Sequence, residues 1–248
     1  MRVTYRFLLA VAVAWLSAPS LGVNYADAAP PISEIIVFGD SLSDTGNIFA
    51  ASAGAVAPPP YYNGRLSNGP IWIDRLSQEL GVPNPLPSFV FAPAEGGTNF
   101  AWSGAETGPG FSDSLTPNLG LQIDIFLGGG GTLSGDELIV IRGGPNDLFA
   151  AAAGPPGEFL TSALTAAANV ADHVATLAYA GGEVFLVPNL GGIGQTPYFQ
   201  LLGPPLPEAA DGWEFIFNTA LDAELDALEA DFATAGLDVQ IVRFDTHE

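Results

Sequence analysis

The chain has 248 residues, enough for one α/β domain with a sizeable core, and its 48% hydrophobic and 13% charged residues mark it as globular rather than disordered. Six arginines, no lysine and 27 acidic residues give a formal charge of −21, a field that repels nucleic acid and anionic membrane surfaces and argues against both as partners. The missing lysine excludes a P-loop or Schiff-base site, and the absence of cysteine excludes disulfides and thiolate metal sites.

Residues 1–28 read as a secretory signal. Arg2 and Arg6 give a basic start, an apolar run extends from Phe7 to Leu16, and Ala26-Asp27-Ala28 supplies an A-x-A cleavage site. The run is short for a membrane span, and the alternative to a cleaved leader is an uncleaved anchor. The expectation is a cleaved leader, a secreted or periplasmic mature chain and no stable membrane insertion.

Five apolar segments are predicted strands: Glu34–Phe38, Thr98–Trp102, Glu137–Ile141, Glu183–Val187 and Asp238–Phe244. Several are continuous runs rich in Val and Ile, as strands buried on both faces of a parallel sheet require. Helical spacing links Ile71, Trp72, Leu76 and Leu80, then Leu160, Leu164, Ala167, Ala171, Val174 and Leu177. The cleanest stripe joins Phe217, Leu221, Leu225, Leu228 and Phe232, with Asp and Glu on the opposite face. Ala50–Asn63, Gly128–Gly131 and Leu202–Pro207 read as loops. Alternating strands and helices predict a doubly wound α/β sandwich, and no linker divides residues 29–248.

Ligands of open parallel sheets bind beyond the carboxyl ends of the strands. The segments following the first three predicted strands are Gly39-Asp40-Ser41-Leu42-Ser43-Asp44-Thr45-Gly46-Asn47, then Ser103-Gly104-Ala105, then Gly143-Gly144-Pro145-Asn146-Asp147. A serine in a tight strand-to-helix turn presents its hydroxyl as a nucleophile, with its own backbone N–H placed for an oxyanion. Gly104 admits a second backbone N–H without side-chain obstruction, and the Asn146 amide adds a donor without charge. Each fragment alone suits an ordinary turn or helix cap: Gly-Asp-Ser is a common turn, Gly104 can permit a bend, and Asn146 and Asp147 can cap a helix. Three in successive strand-end loops make a coherent acyl-transfer site.

Phe38 to Asn47 resembles, almost residue for residue, the first block of GDSL-type esterases and lipases, the SGNH hydrolase family. Asn63–Trp72, Asn99–Ala105 and Gly143–Phe149 are similar to later stretches of that family, as are Val187–Leu190, Thr196-Pro197 and Phe217-Asn218. The resemblance covers nearly all of residues 33–245. It implies a flavodoxin-like, three-layer α/β/α sandwich with a five-stranded parallel sheet. It also implies a secreted serine esterase or lipase that forms an acyl-serine intermediate on Ser41. The Ser41 backbone, Gly104 and Asn146 would form the oxyanion hole. Asp44, three residues on, either helps to order the nucleophile loop or forms a simple Asx turn. No metal or organic cofactor is indicated, and the expected partner is a small-molecule, lipid or acylated-glycan ester. The proline of Gly144-Pro145-Asn146 departs from the family's freer residue there and is expected to stiffen the loop.

The catalytic histidine is not found. The family takes its acid and base from an Asp-x-x-His motif near the carboxyl end, whereas this chain has only His173, on a predicted helix, and His247, in Asp245-Thr246-His247 with one residue too few. Both are expected to be non-catalytic, and residues 29–248 are expected to lack the family's carboxyl-terminal segment. Loss of that segment's closing helix is expected to uncover apolar positions of Glu34–Phe38. The alternative function is a secreted SGNH-like binding domain without turnover.

Overall fold

The computed structural model describes residues 32–90, 92–112, 116–153 and 158–246. The predicted signal segment and His247 lie outside them. Four strands form one parallel sheet in the order β1 (Glu34–Gly39), β2 (Glu137–Arg142), β3 (Val184–Pro188) and β4 (Gln240–Phe244). In register, Ile36 faces Ile139, Ile139 faces Phe185, and Phe185 faces Ile241. Seven α-helices accompany them among the described residues. They are α1 (Asn47–Ala51), α2 (Trp72–Leu80), α3 (Leu119–Gly128), α4 (Pro145–Ala153), α5 (Phe159–Tyr179), α6 (Pro197–Leu202) and α7 (Leu206–Ala235).

The alternation of side chains along each strand divides the core into two apolar layers. Ile36, Phe38, Ile139, Ile141, Phe185 and Val187 pack against α3, α5 and α7 through Phe126, Val170, Val174, Phe217, Leu221 and Leu225. Ile35, Val37, Leu138, Val140 and Leu186 pack on the opposite face against Ile73, Trp72 and Leu76 of α2. This is the predicted three-layer α/β/α arrangement. Phe38, Phe100 and Phe126 meet at centroid distances of 5.4 to 5.7 Å, and each such fully buried side chain contributes roughly 1.5–3 kcal/mol.

The sheet has four strands, not the predicted five. Thr98–Trp102 does lie parallel to β1: Val37 N donates to Thr98 O at 2.9 Å, Phe100 N to Val37 O at 2.7 Å and Trp102 N to Gly39 O at 2.9 Å. The next rung of a parallel ladder needs the Gly39 N–H, and the buried side chain of Gln122 takes it. Gly39 N donates to Gln122 Oε1 at 2.8 Å while Gln122 Nε2 donates to Gly39 O at 2.9 Å. An amide side chain satisfies both backbone groups and ends the pairing.

Two further expectations are corrected. Ile35, Ile36, Val37 and Phe38 are at most 2% exposed, so β1 is covered on both faces; the apolar side chains left open on the sheet are Val242, 39% exposed, and Phe244, 53%, both on β4. The stretch Leu202–Pro207 is only in part a loop, because Leu202 ends α6 and Leu206 opens α7.

Candidate functional site

Ser41 lies in a hydrogen-bonded turn between β1 and α1. Asp40 organises that turn: its carbonyl accepts from Ser43 N and Asp44 N, both at 3.1 Å, and its carboxylate accepts from Leu42 N at 2.9 Å. The helix α1 begins only at Asn47. Ser41 is half-buried, and its N–H, at the open start of the turn, has no partner among the described residues. Gly39 precedes the turn, and a Cβ there would stand 2.9 Å from the Arg142 carbonyl, so β1 and β2 approach closely only because this position has no side chain.

Asp44 does more than form an Asx turn. Its carboxylate accepts from the backbone N–H groups of Gly46, Asn47 and Ile48, at 2.6 to 3.2 Å, and from Ser103 N at 3.1 Å. It therefore fastens the Ser41 loop to the Gly104 loop. Burial pushes its pKa up, opposed by those four N–H donors. Asn47 and Asn99 make further ties: Asn47 Nδ2 donates to Asn99 O and Ala101 O, and Asn99 Nδ2 donates to Ser43 O.

Gly104 has φ +89°, a left-handed conformation that side chains disfavour, although a Cβ there would meet nothing closer than Thr116 at 3.8 Å. Conformation, not space, selects glycine. Its N–H is unpaired among the described residues, and the residues on either side are held fast. Asn146 Nδ2 donates to Ala105 O at 2.8 Å, Asn118 Oδ1 accepts from Glu106 N at 2.9 Å, and Thr107 is bound by Asp147. Ser41, Gly104 and Asn146 thus belong to three loops joined by direct links from Asp44 to Ser103, Asn146 to Ala105 and Asp147 to Thr107.

Pro145 is the first residue of α4, where a helix needs no N–H from it, so the proline sets the approach of Asn146 at no cost in hydrogen bonds. Neither Asn146 nor Asp147 serves as the helix cap their types suggested; both reach back to residues 105 and 107.

Asp147 was not singled out by its chemistry in the sequence. Its carboxylate accepts from the Thr107 hydroxyl at 2.7 Å and the Thr107 N–H at 3.1 Å, and burial pushes its pKa up to about 7. His173 of α5 donates from Nε2 to Thr107 O at 2.7 Å, and burial lowers its pKa, which keeps the ring neutral. His173 is therefore a support of this loop. Because Asp147 has a raised folded-state pKa, the folded protein holds a proton that the unfolded chain has already lost between about pH 4 and pH 7. Stability from this group is greatest below that window, falls as pH rises through it and is level above. Asp147→Asn keeps an acceptor for Thr107 and removes the titration, so urea melts at pH 5 and pH 8 are expected to show a pH loss smaller by about 2–3 kcal/mol than in the parent chain. Equal losses in both proteins would contradict this.

A parallel sheet carrying a turn-borne serine and adjacent amide donors at its strand ends is the layout of a flavodoxin-like acyl hydrolase. The sequence profile of the GDSL-like Lipase/Acylhydrolase family matches residues 35–247, and the chain belongs to that family. It is 33% identical over 190 residues to the phosphatidylcholine-sterol acyltransferase of Aeromonas hydrophila, covering 75% of this chain and 52% of that protein. A GDSL esterase/lipase of Arabidopsis thaliana is 35% identical over 105 residues, 38% of this chain and 29% of the plant protein. Acetylajmalan esterase 2 of Rauvolfia serpentina is 36% identical over 119 residues, 43% of this chain and 32% of that esterase. The matched region spans about half or less of the length of these relatives.

Proposed function

We propose that the chain acts on acyl esters through a covalent acyl-serine intermediate on Ser41, with the Ser41 N–H, the Gly104 N–H and the Asn146 amide receiving the oxyanion. The observation that carries this reading is the unpaired Gly104 N–H, fixed at φ +89° by anchors on both sides and adjoining an Asn146 amide that spends one bond on Ala105. Attack of the hydroxyl on the ester carbonyl places negative charge on the carbonyl oxygen, and preset donors lower that barrier. The family and its relatives favour small-molecule or lipid esters as substrates.

The test is turnover of p-nitrophenyl acetate, butyrate and palmitate by the full chain. Saturable turnover is expected, and the acyl-length series assigns esterase or lipase preference. Ligand binding without turnover would instead favour a binding domain. Export belongs to the same reading: residues 1–28 act as a leader, and N-terminal sequencing of the exported protein is expected to begin at Ala29. A mature chain still beginning at Met1 would overturn that part. Among the described residues no helix is long and apolar enough to cross a membrane.

A further inference from the structure

Arg142, the last residue of β2, is nine-tenths buried beside the Ser41 turn. Its Nη1 donates to the two oxygens of Asp40 at 3.1 and 3.0 Å. No acceptor among the described residues reaches Nε or Nη2. A guanidinium has five N–H donors, and Asp40 engages only Nη1, so the Nε–Nη2 edge is left for another acceptor. The idle edge is one that this protein uses elsewhere to grip a carboxylate: Arg65 donates from Nε to Asp74 Oδ2 at 2.8 Å and from Nη2 to Asp74 Oδ1 at 2.6 Å.

Arg142 also lines an opening of about 380 Å³ at the carboxyl ends of the strands, together with Leu42, Trp72, Pro188, Gly191, Phe244 and Thr246. Ser43 Oγ is the side-chain polar atom found fully buried without a partner among the described residues, so the unpaired nitrogens of Arg142 keep access to this space. In a chain with 27 acidic residues, no carboxylate among the described residues lines it, and Arg142 is the ionisable residue among the described part of its wall. Its walls are mostly apolar, so they offer a bound anion few competing hydrogen-bonding groups. Asp40 fixes Nη1, which presets the plane of the fork.

We infer that Arg142 recognises an anionic group, a carboxylate or phosphate, carried by the ester substrate whose carbonyl meets Ser41. This rests on the proposed acyl-serine reading for its catalytic half. The recognition is bidentate through Nε and Nη2, and it selects esters that bear a negative charge over neutral esters of the same size, against the repulsion of the molecule's overall charge.

Two measurements test it. Calorimetric titration of the Ser41→Ala chain with inorganic phosphate, monomethyl succinate and neutral dimethyl succinate reads binding without turnover. At least one anion is expected to bind ten times or more as tightly as the neutral diester, and the better of the two identifies the phosphate or the carboxylate as the preferred group. Adding Arg142→Lys, which retains a cation for Asp40 but not the fork, is expected to remove most of that preference. In the turnover arm, the ratio of kcat/KM for mono-p-nitrophenyl succinate over p-nitrophenyl butyrate is expected to fall about tenfold or more in Arg142→Lys, as loss of charge-assisted hydrogen bonds implies. Arg75→Gln, on the exposed side of α2, is expected to leave the ratio unchanged. No preference for an anion in the Ser41→Ala chain overturns the inference, even if Arg142→Lys fails to fold. Complete lack of ester turnover defeats the hydrolase reading alone, because the titration still decides whether Arg142 binds anions.

Discussion

Ser41→Ala is expected to remove ester turnover to the level of the uncatalysed reaction and to abolish labelling by an active-site organophosphonate. The expected loss is on the order of 10⁴-fold or more, as for nucleophilic serines in general, since no other group can carry the acyl intermediate. Mass spectrometry of the labelled parent chain is expected to place the adduct on Ser41 and on no other serine. The turn supports this selectivity. Ser43, two residues on, is fully buried with its hydroxyl unpartnered, whereas Ser41 is half-exposed at the open start of the Asp40–Asp44 turn. Labelling that survives Ser41→Ala would remove the serine from its assigned role. The rate of labelling reports how strongly the hydroxyl is activated. His173 spends Nε2 on the Thr107 carbonyl, so a pH profile of labelling with a neutral-range inflection would direct attention to His247.

Strands β1, β2 and β3 were legible because they are near-continuous apolar runs, the pattern of strands buried on both faces. Predicted Glu137–Ile141 and observed Glu137–Arg142 differ by one residue, as do Glu34–Phe38 and Glu34–Gly39. The stripe from Phe217 to Phe232 lies within α7 as its spacing required. The lost fifth strand has a single cause that local pattern cannot show. Thr98–Trp102 has strand-like composition, and only the approach of Gln122, 83 residues from Gly39, ends its pairing. The sequence signal was a polar Gln122 in the otherwise apolar stretch Leu119–Ile123, where a buried amide must find a partner. At the candidate site, Ser41, Gly104 and Asn146 could be picked out because each lies in a loop just after a strand-like segment. Their supports could not. Thr107, Asp147, Asn169 and His173 meet across separations of 40 to 66 residues, and each looks like an ordinary surface-helix or loop residue in its own neighbourhood. Arg142 was invisible for the same reason, since a cation at the end of an apolar strand gains its meaning only from Asp40 and the opening beside it.

Asn146→Ala is expected to lower kcat about a hundredfold or more while changing KM little, by comparison with other side-chain donors to oxyanions. The amide nitrogen carries two N–H bonds. One is spent on Ala105 O at 2.8 Å, which fixes the side chain against the Gly104 loop, and the other remains for substrate. A donor held in this way needs no reorganisation when charge develops on the carbonyl oxygen, so its contribution appears in the transition state rather than in ground-state binding. The same bond makes a competing explanation testable. If Asn146 only braces Ala105, its loss loosens the Gly104 loop, and the variant should lose stability along with activity. Its direct role predicts a large fall in kcat with a melt displaced only slightly, because one hydrogen bond contributes about 1 kcal/mol to folding. Asn146→Asp separates the two further: the carboxylate cannot donate to either Ala105 O or an oxyanion and adds a negative charge where one must develop, so its kcat is expected to fall below that of Asn146→Ala. A loss of only a few-fold in Asn146→Ala, or an Asp variant more active than the Ala variant, would place Asn146 outside the oxyanion hole.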